Sequence, residues 1–282
     1  MSERMTETSP RLAYVVRGTS GPDVLLIMGF GMGKELWEPQ LAGLERTHRL
    51  IAFDNRGVGE SERGDRRAFS MALLADDACR VLDAVGLERA HVVGVSMGGM
   101  IAQEMALRHP SRVRSLALVA THPGSPRYVL PPREGLVLFP QTFMGDAASR
   151  MRTTRALLYP PEFVSSTGED VLDARMRQMM RRATPTPVLL AQIAAIARHH
   201  TVSRLHRIDA PTLVVRPGKD VLVRAAGSDE LARRIPGARL SRYDEAGHGV
   251  IFQCAERLNA ELAAHFAEAE ARESRRSRAR AG

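Results

Sequence analysis

The segment Gly94-Val95-Ser96-Met97-Gly98-Gly99 decides the fold of this 282-residue chain. Residues 91–95, which are apolar after His91, predict a buried strand before it, and the Ala-rich residues 97–108 predict a helix after it. A strand-to-helix turn this tight requires glycine at Gly94 and Gly98, because a Cβ there would collide with neighbouring backbone. The segment therefore predicts that the Ser96 hydroxyl stands at the carboxyl edge of a parallel sheet, at the N-terminus of a helix.

Apolar runs alternate with helical periods on both sides of this turn. That alternation predicts an α/β fold with a mostly parallel central sheet flanked by helices. Ser70 is the predicted N-cap of a helix that ends at Gly86, and a final helix is predicted from about Cys254 to Glu268. The predicted strands are residues 12–17, 24–28, 49–53, 91–95, 113–120, 212–215 and 239–243.

The strand pattern fades between residues 122 and 200, where proline, methionine and helical periods dominate. We interpret residues 122–200 as a helical cap inserted into a core made of residues 1–121 and 201–269. Phe143 and Met144 are candidate pocket residues in this cap, and a fixed helical layer on the core is the alternative. Residues 270–282 carry five Arg and two Glu, which predicts a basic disordered tail.

A serine nucleophile needs a base, and the base needs an acid that orients it. His248 follows the last predicted strand in a glycine-flanked loop, and Asp220 follows strand 212–215 after a short turn. Both positions lie at the sheet edge that carries Ser96, so we predict Ser96, Asp220 and His248 as catalytic residues. Asp244 and Glu245 are too close to His248 in the chain to orient it.

Negative charge in a transition state needs backbone N–H donors. The N–H of Met97, next to the predicted nucleophile, is one candidate. The other is the N–H of Phe30, in the glycine-rich loop of residues 28–33 after strand 24–28, with Gly31 as second choice and as a pocket residue. His122 follows strand 113–120 at the same edge, where it either lines the pocket or packs in the core.

The segment Asp54-Asn55-Arg56-Gly57-Val58-Gly59-Glu60-Ser61 follows another strand. Its charged residues permit a catalytic interpretation, but a structural one is favoured. We expect Asp54 and Arg56 to pair with each other inside a glycine-dependent turn beneath the site.

Together these motifs resemble the α/β-hydrolase superfamily, in its capped, Ser-nucleophile, esterase- and lactonase-like branch. The resemblance covers residues 12–121 and 205–268 and rests on MGFGMG, DNRGVGES, GVSMGG, PGKD and EAGHG, which occur in the family's order. It implies that Ser96, Asp220 and His248 form the triad and that residues 122–200 form the cap. A serine in place of aspartate disfavours dehalogenase and epoxide hydrolase chemistry.

The composition excludes several other classes of protein. Apolar residues make up 44% and charged residues 26% of the chain, as in ordinary globular proteins. The net charge is +8, but 38 of the 40 basic residues are Arg and no nucleic-acid-binding motif accompanies them, so we expect no nucleic-acid partner. The two cysteines have no CxxC partner, which predicts neither a disulfide framework nor a metal site. With no signal peptide and no membrane span, the expected location is cytoplasmic. The oligomeric state stays open.

The function predicted first is hydrolysis of a carboxylic ester or lactone through an acyl-enzyme, with no cofactor. The apolar side chains of the cap favour a small lipophilic substrate. A thioesterase and a C–C bond hydrolase use the same machinery and remain alternatives. A non-hydrolytic natural-product lyase or cyclase, or a ligand receptor on the same fold, remains open as well.

Overall fold

The computed structural model describes residues 3–65 and 69–281. Its eight strands form one sheet in the order β1-β2-β4-β3-β5-β6-β7-β8. At one edge, β1 pairs antiparallel with β2, and β2 pairs antiparallel with β4. The five other pairs, from β4–β3 across the sheet to β7–β8, are parallel. The strands are β1 Arg4–Met5, β2 Ala13–Arg17, β3 Asp23–Ile27, β4 Arg49–Phe53, β5 Ala90–Val95, β6 Val113–Val119, β7 Thr212–Pro217 and β8 Arg239–Tyr243.

Twelve α-helices flank the sheet within the described residues. The side chain of Ser70 caps α2 by accepting a hydrogen bond from the Leu73 N–H, and the chain leaves this helix through Gly86 at φ +70°. The helices are α1 Glu38–Leu44, α2 Met71–Ala84, α3 Met97–Arg108, α4 Pro126–Val129, α5 Arg133–Gln141, α6 Ala147–Leu158, α7 Pro161–Ser166, α8 Glu169–Met180, α9 Thr186–Arg198, α10 Ala225–Arg234, α11 Val250–Gln253 and α12 Ala255–Ala281.

The apolar core has one layer on each face of the sheet. Leu25 and Ile27 of β3 belong to the layer that contains the buried faces of α2 and α3. The alternate residues Val24 and Leu26 belong to the opposite layer, with α1 and the first part of α12. A central parallel strand buried on both faces must be apolar at every position, which explains the continuous apolar runs in the sequence.

The predicted α/β fold class is confirmed. The seven predicted strands are confirmed as well, with ends that agree to within one or two residues. The sequence did not predict β1, which has only two residues and therefore no periodicity. Six helices, α4 to α9, lie between β6 and β7. We refer to residues 122–200 as the insertion.

The prediction of a disordered tail from residue 270 is wrong for residues 270–281, because α12 continues to Ala281. Gly282 lies outside the described residues. Glu270 pairs with Arg114 at 3.0 Å, and Glu273 pairs with Arg89 at 2.7 Å. These ion pairs join the extension of α12 to Arg89, just before β5, and to Arg114 of β6. Along the described part of the chain, no helix combines the length and apolar character needed to cross a membrane.

Candidate active site

Ser96 occupies a strained turn between β5 and α3. Its φ of +55° and ψ of −122° lie in a region that L-residues rarely adopt. A Cβ on Gly94 would lie 2.3 Å from the Gly98 carbonyl oxygen, and one on Gly98 would lie 2.1 Å from the Ile27 carbonyl oxygen. The Ser96 N–H donates to Val119 at 2.9 Å and its carbonyl accepts from Thr121 Oγ1 at 2.7 Å. The end of β6 and the residue two positions beyond it thus hold the strained backbone at both its N–H and its carbonyl.

Asp220 and His248 form a direct hydrogen bond at the same sheet edge. His248 Nδ1 lies 2.8 Å from Asp220 Oδ2, and both residues are buried. The other carboxylate oxygen, Oδ1, accepts the N–H groups of Leu222 at 2.7 Å and Val223 at 2.8 Å. Two backbone donors therefore fix the carboxylate while it orients the imidazole.

The 28–33 loop lies directly against Ser96. A Cβ on Gly29 would lie 3.2 Å from Ser96 Cβ and 3.7 Å from Ser96 Oγ. Met97 is the first residue of α3, so its N–H has no partner within the helix. The two predicted donors, the N–H groups of Phe30 and Met97, thus belong to segments that flank the serine.

Residues 54–56 support the 28–33 loop from below, although not through the pairing we expected. Asp54 accepts from the Lys34 N–H and from Lys34 Nζ, each at 2.7 Å, and Asn55 Nδ2 donates to the Met28 carbonyl at 3.0 Å. Arg56 pairs instead with buried Asp77 of α2, at 2.6 Å between Nη2 and Oδ1. The predicted Asp54–Arg56 pair is therefore wrong, while its structural interpretation agrees with these contacts. A cavity of about 220 Å³ includes Lys34 and Asp54 in its lining but none of the three predicted catalytic residues.

These elements occur in the order and places found in one large family. A family model described as the alpha/beta hydrolase fold matches residues 22–254. The chain belongs to the α/β-hydrolase family.

Relatives of this α/β hydrolase are enzymes of several hydrolytic types. A protein of Azorhizobium caulinodans named "Putative carbamate hydrolase RutD" is 35% identical over 84% of this chain and 88% of its own. A hydrolase from Pseudomonas aeruginosa PA01 is 27% identical with a TM-score of 0.79, over 93% of this chain and 97% of its own. Est816, described as an N-acyl homoserine lactone degrading enzyme, is 25% identical with a TM-score of 0.78, over 93% and 99%. Hydrolase activity is therefore supported for this chain.

His122 of the α/β hydrolase is buried and lies near enough to Asp220 and His248 to interact with both electrostatically. Its Nδ1 accepts the Gly124 N–H at 3.0 Å, and its Cβ packs at the Gly227 position of α10. Burial lowers the pKa of His122 to about 4, although the nearby Asp220 carboxylate opposes this shift. His199 at the end of the insertion is also buried, has no hydrogen bond at either ring nitrogen, and has a pKa lowered by burial to about 3. Both imidazoles are therefore neutral at pH 7.

We expect four buried histidines, His122 and His199 together with His91 and His265, to make the free energy of unfolding fall in acid. Burial lowers the pKa of His91 and His199 to about 3 and that of His122 and His265 to about 4, against 6.5 when unfolded. Between pH 6.5 and 4 the unfolded chain binds protons that the folded chain does not, so the free energy of unfolding falls as the pH drops through this window.

Urea unfolding at pH 7, 6 and 5 measures this dependence. Unfolding at pH 5.5 should take up roughly three to four protons. His265→Gln, on α12, should weaken the dependence. A free energy of unfolding that does not change between pH 7 and 5 would contradict the neutral, buried state of these side chains.

The predicted pocket residues of the insertion lie at different depths. Phe30 packs against Phe139 with ring centroids 5.7 Å apart, and Phe139 contacts Phe143 at 5.4 Å. Phe143 is thus joined to the 28–33 loop through one ring, while 48% of its surface stays exposed. Met144 is 64% exposed. Gly31, the predicted pocket residue of the 28–33 loop, packs directly against the insertion, because a Cβ on it would be 2.8 Å from Leu189 Cδ2 of α9.

Two residues of the insertion that the sequence did not single out contact the 28–33 loop. Gln192 Oε1 accepts the Gly31 N–H, and Thr184 Oγ1 donates to the Gly31 carbonyl, each at 2.8 Å. Gln192 is the one polar residue in the run from Val188 to Ala197, a signal that could have marked it. In the described ranges, no group of three or more His, Cys, Asp or Glu side chains could hold a metal ion.

Proposed function

We propose that this protein is a serine hydrolase that cleaves a small lipophilic carboxylic ester or lactone through an acyl-enzyme. The observation that carries the proposal is the 2.8 Å contact between His248 Nδ1 and Asp220 Oδ2, at the sheet edge where the strained Ser96 immediately precedes α3. A carboxylate that accepts from Nδ1 leaves Nε2 unprotonated and able to take a proton.

Ser96, His248 and Asp220 have complementary roles in this reaction. Ser96 Oγ forms a bond to the carbonyl carbon while His248 Nε2 takes the hydroxyl proton. The N–H groups of Phe30 and Met97 stabilise the resulting oxyanion. His248 then gives its proton to the departing alcohol oxygen, and the C–O bond breaks. Water repeats the sequence on the acyl-enzyme, which releases the acid and restores Ser96.

We further propose that the insertion acts as a cap that selects the substrate. It contacts the 28–33 loop through Leu189 of α9, and it contacts the loop that carries His248 through the Leu158 carbonyl, which accepts the Gly249 N–H at 2.8 Å. Tyr159 packs where a Cβ on Gly249 would lie. One segment thus supplies side chains beside both halves of the predicted catalytic machinery.

Apolar side chains of the insertion support a lipophilic substrate. Leu189, Phe139 and Tyr159 border the 28–33 loop and the His248 loop, and Phe143 extends this apolar border outward through Phe139. Such a border fits the acyl or ring portion of an uncharged ester or lactone.

Carbamate hydrolysis is the second candidate, because the A. caulinodans relative is 35% identical and carries that name. A carbamate presents the same carbonyl to Ser96, so the first step is unchanged. Its acyl-enzyme would carry nitrogen next to the carbonyl carbon.

A substrate panel combined with active-site labelling tests the proposal. Wild-type protein is assayed against p-nitrophenyl esters of increasing acyl length, γ-lactones, and p-nitrophenyl N-alkylcarbamates, and an alkyl fluorophosphonate is used to label the nucleophile. We expect ester or lactone turnover and a single phosphonylated peptide that contains Ser96. A preference for the carbamates would favour the second candidate, and labelling at a different residue would overturn the assignment.

A further inference from the structure

Residues 29–32 form a single turn that carries the proposed oxyanion donor Phe30. The Met32 N–H donates to the Gly29 carbonyl at 3.4 Å, and Gly31 has a φ of +65° while that of Phe30 is not positive. A turn with a positive φ at its third residue and a negative φ at its second is of type II. The peptide that joins Phe30 to Gly31 can flip to the type I arrangement, which reverses the Phe30 carbonyl and the Gly31 N–H.

Both polar groups of Gly31 are held by the insertion. Its N–H donates to Gln192 Oε1 and its carbonyl accepts from Thr184 Oγ1, each at 2.8 Å. Gln192 lies 161 residues away in sequence and is fully buried. After a flip, the Gly31 N–H would point away from Gln192 and this hydrogen bond would be lost. The Gln192 hydrogen bond therefore favours the type II form, and the Thr184 hydrogen bond fixes the next peptide, between Gly31 and Met32. Together the two side chains hold the turn that begins at the Phe30 N–H.

The hydrogen bond to Gly31 also fixes the orientation of the Gln192 amide. Only the amide oxygen can accept an N–H, so Oε1 must face Gly31 and Nε2 must occupy the other position. Gln192 Nε2 is buried and has no hydrogen-bond partner. Nε2 is thus a donor with an unused hydrogen bond beside the proposed oxyanion loop.

We propose that Gln192 does two things in the hydrolysis: Oε1, together with Thr184, positions the oxyanion turn, and Nε2 binds an acceptor oxygen of the substrate. The favoured substrate class is then an acyl compound with a second carbonyl or ether oxygen close to the scissile carbonyl. This inference rests on the proposed serine hydrolase function. It gives α9 of the insertion a role in positioning the proposed oxyanion donor and in binding the substrate.

The positioning role is tested through both partners of Gly31. Gln192→Met removes the acceptor at similar size. For p-nitrophenyl butyrate, which has no second oxygen for Nε2, we expect kcat to fall about 10–100-fold with KM within about threefold, because a misplaced donor weakens oxyanion binding more than substrate binding. Thr184→Val should lower kcat about 3–10-fold, and Thr184→Ser should restore it because the hydroxyl returns. Leu190→Met, at a position of α9 that is 61% exposed, is the matched control and should leave both constants unchanged.

The donor role is tested by comparing two substrates, p-nitrophenyl butyrate and p-nitrophenyl methoxyacetate, which has an ether oxygen next to its carbonyl. Gln192→Met should lower kcat/KM for the methoxyacetate by about 3–10-fold more than for the butyrate, because it also loses the hydrogen bond from Nε2. Thr184→Val retains Nε2 and should affect the two esters equally. Equal losses for both esters in Gln192→Met would overturn the donor role.

Ser96→Ala separates a failure of this inference from a failure of the proposed function. If Ser96→Ala is inactive while Gln192→Met and Thr184→Val both keep kcat within twofold of wild type, the positioning role is wrong and the hydrolase proposal stands. If Ser96→Ala keeps its activity, the proposed function itself fails. Thermal unfolding of each variant identifies any loss due to misfolding, and Thr184→Val keeps the test of the positioning role decisive if Gln192→Met does not fold.

Discussion

Replacing Ser96 with alanine is expected to lower kcat for the best ester or lactone by a factor of about 10⁴–10⁶ while the protein stays folded. The loss follows from chemistry, since alanine offers no oxygen to attack the carbonyl carbon. The fold should persist because the strained turn is held by the hydrogen bonds of the Ser96 backbone to Val119 and Thr121, which alanine retains. Alanine and serine both carry a Cβ, so a φ of +55° costs them nearly the same conformational free energy.

Steady-state kinetics and thermal unfolding of purified Ser96→Ala provide the measurement. Ser165→Ala, at an exposed position of α7, is the matched control and should behave as wild type. Turnover by Ser96→Ala within about tenfold of wild type would eliminate Ser96 as the nucleophile. A large fall in Tm would instead show that the hydroxyl stabilises the turn.

The main part of the fold could be predicted because it depends on local patterns. The central strands are buried on both faces, so they had to be apolar throughout, and the turn at Ser96 left glycine as the only residue type for positions 94 and 98. The relation of Asp220 and His248 could be predicted for a similar reason. Parallel strands bring the residues that follow them to one edge, whatever their distance along the chain.

The partners of charged side chains could not be predicted in this way. Arg56 lies two residues from Asp54, yet it pairs with Asp77 on α2, and Asp54 pairs with Lys34. Closeness in sequence does not determine which residue a charged side chain pairs with, because other elements bring further charged side chains within reach. The end of α12 illustrates the same limit, because its pairs with Arg89 and Arg114 depend on how the helix crosses the sheet.

The contact between Gln192 and Gly31 was also beyond the sequence. It joins residues 161 positions apart, and it depends on the path of six helices whose packing no short motif specifies. The residues that repeat a family's motifs could therefore be predicted from the sequence. For the insertion, the sequence could mark a residue such as Gln192 as unusual, but it could not predict which part of the site that residue contacts.

Asp220→Asn is expected to lower kcat by about 10⁴ with little change in the fold. The reason lies in the two backbone donors beside the carboxylate. The N–H groups of Leu222 and Val223 both point at Oδ1, so the one oxygen of an asparagine would turn toward them. Its NH₂ group would then face His248 and require an acceptor at Nδ1. The proton would move to Nε2, and the imidazole could no longer take the proton of Ser96.

Asp244→Asn is the control for this substitution, because Asp244 follows β8 just before His248 but its side chain is 76% exposed and pairs with Arg216. We expect Asp244→Asn to keep kcat within about twofold, as is usual for an exposed charge. Kinetics of both variants, with Tm recorded for each, decide between the two acids. A nearly neutral Asp220→Asn beside an inactive Asp244→Asn would assign the orienting role to Asp244, and it would leave the 2.8 Å contact between Asp220 and His248 as a structural hydrogen bond only.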